Sequence, residues 1–151
     1  MREETAGKSI PRVVAVEDNP GDVRLIEEGI SAAGIDLELD VIQNGSQAIE
    51  RFTTAGSEDA SSRPDLLLLD LNLPGASGFD VLEVVRTESS FQNVPIVVVS
   101  SSENPDDIER IYESAANAYV TKPADPDEYI QMIVAAVDFW IANVNVSPTN
   151  D

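Results

Sequence analysis

The chain contains no cysteine and no histidine. Disulfides, thiolate nucleophiles, Cys/His zinc sites and Ser-His-Asp triads are excluded by that alone. Positive charge is also scarce: 9 Lys and Arg stand against 28 Asp and Glu, for a net charge of −19. A surface of that sign repels nucleic-acid phosphate and anionic lipid. No apolar run is long enough to span a bilayer, and the opening MREETAGKSIPR has no apolar signal-peptide core. The expectation is a cytoplasmic protein with no DNA and no membrane partner. Its chemistry has to run on carboxylates, hydroxyls, Lys and Arg.

A length of 151 residues with 42% hydrophobic content supports one domain with a real core. The acids are not gathered in a tail; Glu27, Glu28, Glu38, Asp40, Glu83, Glu88, Glu109, Glu113, Asp127 and Glu128 are spread along the chain. With only two lysines present, this is how a surface built for high salt reads, since dissolved ions screen its self-repulsion. A halophilic source is the corresponding expectation.

A short apolar run followed by a helical pattern recurs along the chain. Residues 12–16 form a compact strand-like run, and 20–33 place Ile26, Ile30 and Ala33 at helical spacing. Residues 36–42 alternate, with Leu37, Leu39 and Val41 on one side and Glu38 and Asp40 on the other, as a half-exposed edge strand does. Residues 46–52 read as a short helix and 53–63, TTAGSEDASSR, as a loop. Leu66 to Leu69 is purely apolar, as a strand covered on both faces should be. A helix over 78–88, a buried strand over 96–99, a helix over 105–115, a brief strand over 118–120 and a long helix over 126–144 complete the pattern. Alternating strands and helices call for a parallel sheet covered on both faces. Because only the second strand alternates, it belongs at an edge. The α/β flavodoxin-like (βα)5 fold, with strand order 2-1-3-4-5, satisfies this and puts a site at the carboxyl ends of the first and third strands.

The residues at the strand ends carry the chemistry. The first strand ends in Glu17-Asp18, the third in Asp70, the fourth in Ser100 and the fifth in Thr121-Lys122-Pro123. Carboxylates brought together raise one another's pKa unless a cation joins them. An oxygen-only cluster suits Mg²⁺, which retains several of its waters. A carboxylate beside Mg²⁺ and an ammonium can attack phosphorus in line, giving an aspartyl phosphate, with Lys122 neutralising charge on the transferring oxygens and Ser100 donating to one of them. Each residue also has an ordinary explanation. Asn19-Pro20-Gly21-Asp22 is a helix start with an N-cap and proline in the first turn, which accounts for Asn19 and not for Glu17-Asp18. Asp70 and Lys122-Pro123 taken singly fit turns as well as a site. The combination is what favours a site: Lys122 is the only lysine beyond Lys8, in a chain that otherwise uses Arg.

The segments VAVEDNPGD, LLLLDLNLPGASGFDVL, PIVVVSSS and AYVTKPAD closely resemble the four signature segments of response-regulator receiver domains, in family order and over nearly the whole chain. The resemblance implies that Asp70 is the phosphoacceptor and that Glu17, Asp18, Asp70 and the backbone carbonyl of Asn72 serve Mg²⁺ or Mn²⁺. It implies Lys122 and Ser100 as phosphate-stabilising groups, Ser100 and Tyr119 as the switch pair, and a cis peptide between Lys122 and Pro123. Asn72 and Ser102 match positions that tune spontaneous dephosphorylation. Ser77 stands where the family often has Asp, and Ala116-Asn117 replaces a frequent Gly-Ala. The opening VEDNPGDVRLIEE and the loop after the second helix are similar to stand-alone regulators paired with phytochrome-type sensor kinases. A histidine kinase or phosphotransfer protein is therefore the implied donor, and the chain is a phosphoacceptor rather than an enzyme, with only self-catalysed phosphotransfer and autodephosphorylation.

The expected organisation is a flexible leader over 1–9, a receiver domain over 10–144 and a tail over 145–151, with no output domain. Output then falls to protein contact with a downstream protein or a second copy. On the last helix Ile130, Ile133, Val134, Val137, Ile141 and Val144 form the expected core stripe, while Tyr129, Met132, Ala136 and Trp140 form a candidate interface flank. Two alternatives stand beside this reading. A haloacid-dehalogenase-type phosphohydrolase needs a second carboxylate two residues after the nucleophile, where Asn72 stands. A pseudo-receiver binding module would lack the acceptor, the acid pair or the lysine, and all are present.

Overall fold

A computed structural model describes residues 10–54, 63–88 and 90–143. The elements run β1 (Arg12–Val16), α1 (Pro20–Ala32), β2 (Glu38–Ile42), α2 (Gly45–Thr54), β3 (Leu66–Leu69), α3 (Gly78–Thr87), β4 (Ile96–Ser100), α4 (Pro105–Glu113), β5 (Ala118–Thr121) and α5 (Pro126–Val137), followed by a π-helical segment Asp138–Asn143. The strands form one sheet in the order β2-β1-β3-β4-β5, parallel throughout. This is the expected topology. Of the anticipated loop over 53–63, Thr53 and Thr54 belong to α2 and residues 55–62 lie outside the described residues, as do the leader over 1–9 and the tail over 145–151.

Side chains alternate across a strand, so each central strand feeds two cores. Val14, Val16, Leu67, Leu69, Ile96 and Val98 pack with Ala48 and Phe52 of α2, Val81, Leu82 and Val85 of α3 and Ile111 of α4. Val13, Ala15, Leu66, Leu68, Val97 and Val99 pack on the opposite face with Ile26 of α1 and with Tyr129, Ile133 and Val137 of α5. The run of leucines in β3 is buried at every position because it is covered on both sides. At the edge, β2 turns its acids outward, where Arg12 pairs with Glu38 at 2.9 Å and with Asp40 at 2.8 Å. At the end away from the strand C-termini, Arg86 donates to the carbonyls of Val94 and Ala115 and to Asn117 Oδ1, which also accepts from Ile96 N–H. The side chain of Asn117 thus ties α3 to the starts of β4 and β5.

The last helix departs from expectation in two ways. It is not one regular helix over 126–144: α5 ends at Val137 and the π-helical segment follows, with Val144 outside the described residues. Its buried residues are Tyr129, Ile133, Val137 and Ile141, each four positions after the last. Every four-residue step on an α-helix overshoots a full turn by about 40°, and the wider π turn brings Ile141 back to the seam. The stripe is also rotated. Tyr129 is a core residue at 2% exposure rather than part of an interface flank, and Ile130 and Val134 are only partly buried. The cause lies opposite, on α1. Gly29 leaves room for α5 to come so close that a Cβ placed there would lie 2.5 Å from Ile133 Cβ, which centres the seam on Ile133. Met132 and Trp140 are half-buried against the same core, while Phe139 is 58% exposed.

The Gly29→Ala substitution therefore overpacks the α1–α5 seam. It is expected to lower stability by about 1–3 kcal/mol, measured as a shift in the urea unfolding midpoint at unchanged slope.

Candidate functional site

The sheet register assembles the site from residues distant in sequence. Glu17 follows β1 directly, and its N–H donates to Ile42 O at 2.9 Å. Asp70 N–H donates to Val16 O at 3.1 Å and Lys122 N–H to Ser100 O at 2.9 Å, so the residue just past each strand is pinned to its neighbour. The carboxylates of Glu17, Asp18 and Asp70 consequently lie within 4.8 Å of one another. Glu17, Asp70 and Ser100 are buried, and Asp18 is exposed.

Lys122 reaches into this cluster. Its Nζ lies 2.9 Å from Glu17 Oε1, 3.3 Å from Asp70 Oδ2 and 2.8 Å from Asp22 Oδ2. The stem approaches along a trans Lys122–Pro123 bond, since no cis peptide occurs among the described residues; the expected cis bond is not found. The trans isomer is favoured by about 0.5–1 kcal/mol at X–Pro bonds, and the four-carbon stem of lysine reaches all three carboxylates from it. Burial opposes the charge on Lys122, yet its hydrogen bonds to Asp22 and Glu17 and the attraction of Asp70 outweigh that and raise its pKa above the ordinary lysine value. Glu17 is pushed up to about 7, chiefly by burial, with the Lys122 hydrogen bond opposing and repulsion from Asp70 adding to it. Burial likewise raises the phenol of Tyr129 beneath the rim. One ammonium thus fails to balance the buried acids, and hard oxygen donors with a deficit of positive charge, one of them open to water, fit a divalent cation that keeps part of its hydration shell.

The loop after β3 is fixed by close backbone approaches. Gly78 N–H donates to Leu71 O at 2.9 Å, and a Cβ at Gly78 would lie 2.7 Å from Leu71 Cα and closer still to the Asp70 carbonyl oxygen. Gly75 adopts φ +81°, open to glycine, with Gly45 N–H donating to Pro74 O at 2.9 Å. Asn72 is exposed, and its N–H donates to Asp70 Oδ1 at 3.3 Å. Ser100 Oγ accepts from Ser102 N–H at 3.1 Å, and the Tyr119 hydroxyl donates to Ser102 O at 3.2 Å, so Ser102 links the two. Ser102 Oγ in turn donates to Asp107 at 2.7 Å. Glu17, Asp18, Asp70 and Lys122 are brought together as expected, with Ser100 adjoining at the end of β4. Asp22 joins them unanticipated; its only sequence signal is an acid in the first turn of a helix, where acids are common.

The model of the response regulator receiver domain matches residues 13–134, and the chain belongs to that family. It is therefore a phosphoryl acceptor of two-component signalling that works with a divalent cation and receives its phosphoryl group from a histidine kinase. Among curated relatives it is similar to the response regulator Rcp1 of Synechocystis, at 34% identity over 137 residues, covering 90% of this chain and 93% of that protein. Its structure is similar to that of the phosphorylated cyanobacterial phytochrome response regulator RcpA, with a TM-score of 0.82, 34% identity and coverage of 89% of this chain and 96% of that one. The Mn²⁺-bound form of Rcp1 gives a TM-score of 0.76 at 34% identity, covering 87% of this chain and 94% of that one. No helix among the described residues is long and apolar enough to cross a membrane.

Because Gly78 meets the carbonyl of Asp70 itself, Gly78→Ala is expected to displace the loop that carries the cluster. Calorimetric titration with Mg²⁺ should show affinity reduced by roughly tenfold or more, as a displacement of about 1 Å costs an oriented site that much.

Proposed function

We propose that Asp70 is the residue that accepts the phosphoryl group. Glu17, Asp18 and Asp70, with the backbone carbonyl of Asn72, hold Mg²⁺ or Mn²⁺, which neutralises charge on the phosphoryl oxygens. In the transfer, an Asp70 carboxylate oxygen forms the new bond to phosphorus as the bond to the kinase histidine nitrogen breaks. Lys122 supplies a compact positive charge beside that carboxylate, and the Ser100 hydroxyl donates to a phosphoryl oxygen. The observation that supports this most directly is the Lys122 ammonium 3.3 Å from Asp70 Oδ2 and 2.9 Å from Glu17 Oε1. Ser100 and Tyr119, joined through Ser102, are the switch pair. The similarity to RcpA, a phytochrome response regulator by its description, favours a phytochrome-type kinase as donor, in the cytoplasm. Dephosphorylation is self-catalysed.

Output is by protein contact. With Tyr129 in the core, the surface assigned to this contact is the far end of the last helix, where Phe139 is exposed and stacks edge-on against Trp140 with centroids 4.8 Å apart. Met132 and Ala136 flank it. The net charge of −19 suits an intracellular milieu of high salt.

Two measurements test these assignments. Incubation with Mg²⁺ and acetyl phosphate should add one base-labile phosphate by intact mass, Asp70→Asn should add none, and Lys122→Ala should acquire it roughly 10²-fold more slowly. For the charged surface, the thermal midpoint should rise as KCl increases from dilute to molar, because screening relieves self-repulsion in the compact state; a flat or falling midpoint would remove the halophilic assignment.

A further inference from the structure

Phosphoacceptor and cation ligands together leave one carboxylate at the rim without a role. Asp22 Oδ2 makes the shortest of the three contacts to Lys122 Nζ, at 2.8 Å, across 100 residues of sequence. It is not one of the clustered carboxylates that face a cation. The usual task of an acid at the third position of a helix is to accept the N–H of the N-cap residue. On α3 that is what happens, with Ser77 N–H donating to Asp80 Oδ2 at 3.3 Å. On α1 the N-cap N–H, that of Asn19, donates instead to Glu17 Oε2 at 3.1 Å, while Asn19 Oδ1 accepts from Asp22 N–H at 3.0 Å. The backbone of Asp22 is thereby fixed, and its carboxylate is released from capping and turned to Lys122.

The ammonium has three protons and three carboxylate partners. Two of those partners, Glu17 and Asp70, are also the buried members of the cation cluster. A divalent cation and an ammonium drawn to the same two carboxylates compete for them and repel each other. We propose that Asp22 is a positioning residue: the seat that retains Lys122 at the rim when a divalent cation takes Glu17 and Asp70. It lowers the cost of cation entry and keeps the amine within reach of a phosphoryl group on Asp70. This deepens the preceding assignment and rests on Glu17 and Asp70 being cation ligands.

The test is a double-mutant cycle on the full chain, with Mg²⁺ as the titrant and its affinity read by calorimetry. Asp22→Ala should weaken Mg²⁺ binding by roughly tenfold, within the usual range of coupling between neighbouring charged groups. Asp22→Asn, which preserves the helix start and removes only the charge, should do the same. Lys122→Ala should tighten binding by removing the competing amine. In that background, Asp22→Ala should change the affinity by less than about twofold. An equal loss with and without Lys122 would show that Asp22 acts through the general negative field or as a ligand, and would overturn the proposal, as would no loss in the presence of Lys122. Failure of the underlying assignment is separately visible, because Glu17→Gln and Asp70→Asn would then bind Mg²⁺ as tightly as the wild type.

Discussion

A single ammonium held among buried and half-buried carboxylates is the interaction on which the site depends. Glu17 and Asp70 are each less than one-tenth exposed along their side chains, and ionised groups so placed are costly unless paired. Lys122 supplies the pairing, but one positive charge against Glu17, Asp18, Asp22 and Asp70 leaves a surplus of negative charge. The pKa of Glu17 is raised to about 7 chiefly by burial, with repulsion from Asp70 adding to it and the Lys122 hydrogen bond not enough to offset them. The same deficit that makes the cluster expensive in the absence of a cation gives it its affinity for one. Arginine would not serve equally well there. A planar fork fixes its partners in bidentate pairs, whereas an ammonium on a flexible stem can exchange one oxygen for another as charge arrives.

The scaffold makes this arrangement unavoidable. In a parallel sheet whose central strands are apolar through their interiors, the polar residues that reach the site appear where the strands end, and those ends lie on one rim. The ladder then continues one residue further, since Glu17, Asp70 and Lys122 each donate a backbone hydrogen bond to the neighbouring strand or the residue just after it. Their side chains are therefore positioned by strand backbone rather than by loops. Close approaches at Gly45, Gly75 and Gly78 hold the loop after β3 against α2 and α3, so the rigidity of the two cores extends to the carboxylates.

What the sequence disclosed and what it withheld divide along the range of the interactions. The strands were legible because a buried strand is a local apolar run, and the edge position of β2 because alternation in Leu37, Leu39 and Val41 is local too. The cluster was legible because strand ends must share a rim. The phase of α5 was not. Apolar residues at 129, 130 and 132 to 137 offer several stripes, and the choice among them was made by Gly29 on another helix, 104 positions from Ile133 in the sequence. Asp22 was missed for the same reason. Within α1 it is an ordinary first-turn acid, and only the diversion of the Asn19 N–H to Glu17 reveals that its carboxylate is free to meet Lys122.

The hydrogen bonds around Ser100 bear on how a charge placed on Asp70 reaches the surface. Ser100 Oγ is an acceptor from Ser102 N–H, so its own proton is available to a phosphoryl oxygen on the proposed assignment. On that assignment, a hydroxyl drawn toward that oxygen would pull on Ser102, whose carbonyl is the acceptor for Tyr119 and whose hydroxyl is bound to Asp107 on α4. Tyr119 is only half-buried and packs against the core that includes Ile111. A shift of Ser102 would thus be felt at a ring that can rotate and at a helix with one buried residue, Ile111, the most weakly anchored of the helices named above. A two-state element is needed for a local charge to have a distant effect, and α4 with Tyr119 has the sparse anchoring that such an element requires.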